Sequence, residues 1–337
     1  MSIEPLSNHP FSTHPGFQRM FAPGQMTLGM FLPLRFYRGD MKILAGQSRL
    51  VSAMDRLGFA AVWVRDIPLF DPAFGDAGQV FDPFTWLAFL AAKTSHISLA
   101  TGSAIFPLRH PLDLAKAATT IDQLSGGRLI MGIASGDRAV EFPAYGIDRE
   151  SRGERFAQTV DMFRQLVSKN TSLMDGSLGR IDSSQFLPKA CHGAVPLLVT
   201  GSSRQTLPWI AEQADGWLTY PDSTHDRQGS LRLAEKIAAW RRLIPGNVFK
   251  PHVTNEWLDL VDDPDFPRTP IHNGFVLRTG RNGLIELLNQ WRLAGVNHAA
   301  LGIQYAERPA EAVIEELAEY VLPLFPSLAA LPTQTDW

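Results

Sequence analysis

Apolar residues along this chain fall into two alternating kinds of run, which together outline its architecture. One kind is a short, continuous apolar stretch such as "AAVWV", "ISLAT" or "RLIMGIA", the pattern of a parallel strand covered on both faces. The other spaces its apolar residues three and four apart, as Leu50, Met54 and Leu57 are in "LVSAMDRLGFAAVWV", and so lays them along one helix face. Gly58 follows, where a left-handed C-terminal cap belongs. The same helix, turn and strand unit recurs in "LPWIAEQADGWLTY" and in "LLNQWRLAGVNHAALGI".

Strands are predicted near 27–33, 61–65, 97–102, 129–134, 196–200, 216–220, 250–260 and 299–303. Helical spacing over 44–57, 112–124, 151–168, 203–214, 230–242, 281–294 and 310–322 separates most of them. This alternation predicts an α/β fold, a (β/α)8 TIM barrel with inserted loops, in preference to an open doubly wound sheet. One barrel domain is expected over 26–325, after an irregular arm at 1–25 and before a tail at 326–337. The stretches 170–194 and 262–280 interrupt the alternation and read as inserted loops, which in compact domains tend to carry function.

Composition narrows the function. With 31 basic and 34 acidic residues among 337, and no run of Lys or Arg, the chain lacks the charge to follow a phosphate backbone. Nucleic acid is not an expected partner. The most apolar window, "PFTWLAFLAA", is too short to cross a bilayer, which needs about 20 residues. The first 25 residues contain Glu4 and three prolines before residue 16 and have no apolar core, so they do not read as a signal peptide. A single cysteine, Cys191, cannot form an intrachain disulfide, and the reducing cytoplasm is the expected compartment.

Several chemistries lack their motifs. No two of the 27 glycines stand two positions apart, so the G-x-G-x-x-G dinucleotide loop is absent, and no phosphate-binding P-loop occurs either. The nine histidines form neither H-x-H nor H-E-x-x-H, and "GIASG" lacks the spacing of a nucleophile elbow. What remains is the set of residues at strand C-termini, where barrel enzymes build their sites. There lie Arg65-Asp66, Thr101-Gly102-Ser103, Ser135-Gly136-Asp137 and Gly201-Ser202-Ser203-Arg204. Their glycines and serines offer bare backbone to a flat ligand. "GSSRQT" is expected to open a helix straight after the strand "VPLLVT", aiming N–H groups, hydroxyls and an arginine at an anion such as a phosphate.

The segments "ISLATGSAIFPLRHP", "LDLAKAATTIDQLSGGRLIMGIASG" and "VPLLVTGSSRQTLPWIAEQADGWL" resemble, in order and spacing, the bacterial luciferase-like flavin-dependent monooxygenases and their deazaflavin-using relatives. The resemblance runs over roughly 27–325. It implies a barrel that binds reduced FMN delivered by a separate reductase and uses molecular oxygen to oxidise a small organic substrate; a homodimer is also implied. Carried over by position, the cofactor contacts are Thr101, Gly102, Ser103, Ala104, Ser135, Gly136, Gly201, Ser202, Ser203 and Arg204, with a non-prolyl cis peptide at Ser103-Ala104 beneath the ring. The histidine that relatives often carry after the second strand is replaced by Arg65-Asp66, which leaves Asp66 as the candidate catalytic residue, or else as a partner of Arg65 or a turn cap. Ser135 stands where some relatives place a phosphate-binding arginine, a task left to the "GSSR" turn with Arg138 or Arg152. Two alternatives stay open: hydride transfer with a deazaflavin, whose long anionic tail requires more basic residues than the obvious Arg204 and Arg138, and a non-catalytic flavin carrier.

Overall fold

A computed structural model describes residues 9–36, 41–71, 74, 81–168, 174–181 and 184–328. Eight parallel strands close on themselves: β1 (Thr27–Phe31), β2 (Ala61–Val64), β3 (Ser98–Ile105), β4 (Leu129–Ala134), β5 (Leu197–Thr200), β6 (Gly216–Leu218), β7 (His252–Leu260) and β8 (His298–Gly302). Each pairs with its successor, and β8 pairs back onto β1 through Thr27 with His298 and Met30 with Leu301, making the (β/α)8 barrel. The apolar runs feed two layers because successive strand side chains point to opposite faces. Phe31, Trp63, Ala100, Ile130, Leu198 and Val253 fill the barrel, while neighbours such as Met30, Val62, Leu99 and Met131 pack outward under the helices.

Three sequence expectations change. The arm read as irregular contains a short helix, Pro15–Met20, with the His14 ring accepting the Phe17 N–H at its start. Its Phe17 and Met20, with the following Phe21, are fully buried, and the Ser98 hydroxyl donates to the Gly16 carbonyl at 3.1 Å, so the segment plugs the N-terminal mouth of the barrel. The apolar window beginning at Pro83 is a helix, Pro83–Ala91, started by Asp82, whose carboxylate accepts the Thr85 N–H at 2.8 Å. Asp followed by Pro at the first helical position is a start signal that periodicity alone overlooks. Third, "GSSR" does not open the next helix, which runs Leu207–Gln213 with Thr206 as its cap.

The inserted stretches also contain structure. Residues 262–280 hold an antiparallel pair, Thr269–Ile271 with Val276–Thr279, whose second member extends β7 by pairing Leu277 with Leu258. The described part of 170–194 forms a small hairpin, Met174–Gly176 with Gly179–Ile181. Residues 170–173 and 182–183 of that loop, 72–73 and 75–80 of the loop after β2, residues 1–8 of the arm and 329–337 of the tail lie outside the described residues. Among the described residues no helix is long and apolar enough to cross a membrane.

Candidate active site

A cavity of about 700 Å³ opens at the C-terminal ends of the strands. Its walls include Asp66, Gly102, Ser103, Ser135, Gly136, Gly201, Ser202, Ser203 and Arg204, so nine of the eleven residues singled out from the sequence converge on one space. Thr101 and Ala104 do not line it. Thr101 is buried, with its hydroxyl donating to the Gly132 carbonyl at 2.8 Å, and Ala104 packs outward.

The floor is an irregularity in β3. Pairing to β4 holds from Leu99 to Thr101, breaks, and resumes where Ala104 faces Ile133. The non-prolyl cis peptide is therefore Gly102-Ser103, one residue earlier than expected from the resemblance, because the unpaired residues of this bulge are 102 and 103. Ser103 is tied across the floor to the Thr200 hydroxyl. Gly102 has a packing role as well: a Cβ there falls 2.6 Å from the Phe31 ring, inside contact distance. The bare strand end is thus required in part by the aromatic side chains stacked in the barrel.

The cavity wall after β5 is rich in basic side chains. After β5 the chain turns tightly, with Gly201, Ser203 and Arg204 at left-handed φ of 58°, 45° and 62°; the Gly201 N–H donates to the Leu218 carbonyl and the Gln205 N–H to the Ser202 carbonyl, both at 2.8 Å. The helix Arg152–Val167 begins against this turn: a Cβ on Gly153 falls 2.9 Å from the Arg204 Cβ, and the Gln205 amide donates to the Gly153 carbonyl at 2.7 Å. That helix continues from the turn Arg149–Ser151, whose start is capped by the Asp148 carboxylate accepting the Glu150 N–H at 3.0 Å. Arg149 and Arg152 line the space too, and each carries a buried Nε with no hydrogen-bond partner among the described residues. Where the sequence suggested Arg204 with Arg138 or Arg152, five arginines border the cavity: Arg65, Arg138, Arg149, Arg152 and Arg204.

Asp66 is held differently from the sequence expectation. Arg65 lies 5.0 Å over the Trp257 ring, and the partner of Asp66 is Arg109, whose Nη2 donates to Oδ1 at 2.7 Å while Nη1 donates to Oδ2. Oδ2 also accepts the Ile105 N–H at 2.9 Å. Burial pushes this carboxyl up, and Arg109 opposes the shift. Both oxygens are engaged, anchoring the segment that follows the β3 bulge.

The opposite pole was not anticipated. Asn255, Glu256 and Trp257 line the cavity from β7, joined by Phe275 and Tyr305 from the neighbouring loops. The rings of Trp257 and Phe275 are 5.9 Å apart, and those of Phe275 and Tyr305 5.6 Å. Glu256 is buried; its Oε1 accepts the Trp257 N–H at 2.9 Å, and Oε2 has no partner among the described residues. Burial drives its pKa up to about 7, against the pull of the Thr224 hydroxyl and the Trp257 N–H. Asn255 Oδ1 is likewise buried and unpartnered. No histidine is among the lining residues. Cys191 lies elsewhere, beside Asp122, and burial together with that carboxylate pushes its thiol up to about 11, where it is no nucleophile.

A closed parallel barrel with an arginine-rich, glycine-floored cavity at its C-terminal face defines a (β/α)8 barrel protein with its pocket where such enzymes hold substrate. The chain belongs to the luciferase-like monooxygenase family, whose profile matches residues 26–248. An uncharacterised protein of Mycobacterium tuberculosis is 32% identical over 159 residues, 44% of this chain and 56% of that protein. Limonene 1,2-monooxygenase of Rhodococcus erythropolis is 30% identical over 223 residues, 64% of this chain and 56% of the enzyme, so both matches span little more than half of the relative's length. Among solved structures, monooxygenase RslO1 from Streptomyces bottropensis superposes with a TM-score of 0.74 at 21% identity, over 89% of this chain and 100% of that one. An F420-dependent secondary alcohol dehydrogenase superposes with a TM-score of 0.69 at 18% identity, over 88% of this chain and 98% of the other. The fold is therefore shared by a monooxygenase and by an F420-dependent dehydrogenase.

Proposed function

We propose that this protein is the oxygenase component of a two-component monooxygenase, binding reduced FMN supplied by a separate reductase and using it with oxygen on a small organic substrate. The observation that carries this reading is the convergence of the Gly201–Arg204 turn, the start of helix Arg152–Val167 packed against it, and Arg149, Arg152 and Arg204 on one wall of a glycine-floored cavity. These groups fit a phosphate, and the space between them and the Gly102-Ser103 floor fits a flat ring system. When bound, the flavin supplies the electrons and the site of oxygen activation.

In this reading the chain's own residues bind, orient and shield. Ser202, Ser203, Arg204 and Arg152 hold the phosphate; Gly102, Ser103, Ser135 and Gly136 bring backbone against the ring; Trp257, Phe275 and Tyr305 exclude water from the reacting face. Asp66, with both oxygens engaged by Arg109 and Ile105, is a positioning residue rather than a catalytic one. A second reading, hydride transfer with a deazaflavin, is favoured by one observation: the five arginines around the cavity suit a longer anionic tail.

Anaerobic calorimetric titration with reduced FMN, and in parallel with the reduced deazaflavin coenzyme, tests both readings. Micromolar binding of reduced FMN is expected, reduced at least about a hundredfold in Ser202→Asp, which puts like charge beside the phosphate. Unchanged FMN affinity in that variant removes the phosphate site, and binding of the deazaflavin alone selects the second reading.

A further inference from the structure

We propose that Tyr220 is the substrate-recognition residue of this cavity, its hydroxyl donating to an acceptor atom of an aromatic substrate whose ring lies against Tyr220, Trp257 and Phe275. This rests on the proposed reading of the cavity as the active site and names the substrate class it takes. The direction of the side chain follows from the strand register. Leu218 of β6 fills the barrel, Thr219 turns outward to bond the His252 ring at 3.0 Å, and Tyr220, next in the alternation, points inward. Leu218 stands beside Val253 of β7, so the same inward face carries Asn255 level with Tyr220 and Trp257 two residues nearer the mouth. On the other side Leu218 pairs with Thr200 of β5, which sets Tyr220 one layer above the Ser103–Thr200 hydroxyl pair of the floor.

Tyr220 lines the cavity and is 62% exposed, while burial and then the Asp137 charge push its phenol above the ordinary tyrosine value. A side chain at once uncovered and desolvated stands inside a recess, within reach of a ligand there. Held protonated, the phenol is a donor, and it makes no hydrogen bond to any described residue, Asp137 included. Arg65 and Arg138 line the same cavity and act on the phenol with positive charge, so an electronegative atom is favoured beside it over a second donor. Phe275, 51% exposed, brings another uncovered ring to this wall, 5.9 Å from that of Trp257. Aromatic surface left uncovered in a cavity marks where a ligand lies, and such rings favour edge or offset contact with a ring of the ligand. The two requirements together, a flat ring and an acceptor at its edge, define the substrate class.

The test uses three probes on the full-length protein: acetophenone, α-methylstyrene, in which a CH2 group replaces the carbonyl oxygen, and cyclohexyl methyl ketone, in which the ring is saturated. In calorimetry the flavin-free wild type is expected to bind acetophenone saturably and about fivefold more tightly than cyclohexyl methyl ketone. Tyr220→Phe weakens acetophenone about five- to tenfold and leaves α-methylstyrene within about twofold, which isolates the hydrogen bond from the ring contact. A measurement that needs no variant is the C=O stretch of acetophenone bound to the wild type, expected below its value in cyclohexane. No saturable acetophenone binding, equal binding of the two ketones, an unshifted C=O stretch, or an equal change for acetophenone and α-methylstyrene in Tyr220→Phe overturns the inference. The titration is repeated anaerobically with reduced FMN present, where acetophenone affinity is expected to stay within about twofold. Competition between the two means that these rings hold the cofactor, which overturns the inference and leaves the flavin reading intact.

Discussion

Two carboxylates border one cavity and live under opposite electrostatic regimes. Asp66, at the end of β2, is buried but held by two guanidinium N–H groups of Arg109 and the Ile105 amide. Glu256, within β7, is equally buried, held only by the Trp257 amide on Oε1 and the pull of the Thr224 hydroxyl, with no ion pair among the described residues. The first arrangement satisfies a charge and so fixes a loop; the second leaves a charge unsatisfied and so makes a proton easy to hold or release. Burial alone does not decide where a carboxylate titrates. The partners do.

The sharpest way to break this comparison is to strip Asp66 of its cation. Arg109→Met is expected to cost about 3–5 kcal/mol in urea unfolding, because it abandons a buried carboxylate, and Asp66→Asn in the same background should recover part of it. A loss below about 1 kcal/mol means that Asp66 does not depend on Arg109. Glu256→Gln should act in the other direction. The folded pKa of about 7 lies above the ordinary value of 4.5, so the wild type loses stability as pH rises from 4.5 to 7 and keeps that penalty above it. The variant is then more stable by up to about 3 kcal/mol at pH 8, with the gain vanishing below pH 4.5; thermal melts at the two pH values measure it.

A smaller effect comes from the far end of the barrel, where a buried titratable group has both nitrogens satisfied. Trp63 Nε1–H donates to His298 Nε2 at 3.0 Å, which assigns the ring proton to Nδ1, 2.7 Å from the Thr27 hydroxyl oxygen. Burial lowers this histidine to about 3. The unfolded chain therefore takes up a proton below pH 6.5 that the folded protein refuses, and stability falls with pH. Between pH 6.5 and pH 5 the loss is about 2 kcal/mol. A His298→Gln variant whose melts keep the full acid slope between those values assigns the effect to other groups.

Much of the fold was legible because periodicity is a local property. The β/α alternation, the left-handed Gly58 that follows its helix at φ 95° and the eight strands follow from spacing and turn chemistry within a dozen residues. The GSSR turn was located correctly and its geometry misjudged, since Thr206 and Pro208 compete as helix start signals and win. Glu256 was overlooked although a signal existed: a glutamate inside the otherwise buried strand "HVTNEWLDL" is a charge where none is easily kept.

From the amino-acid sequence alone came the (β/α)8 barrel, the family resemblance, and the gathering of Gly102, Ser103, Ser135 and Gly201–Arg204 at strand ends on one face. These depend on local pattern and on the rule that parallel strands of a barrel present their C-termini together. Only the tertiary structure decided that Asp66 pairs with Arg109, 43 positions away, that helix Arg152–Val167 docks on the Gly201–Arg204 turn, and that Glu256 is desolvated with no ion pair among the described residues. Each of those is a matter of which distant groups share a desolvated space, and the strength of a charge in such a space depends on its neighbours there rather than on its neighbours in the chain.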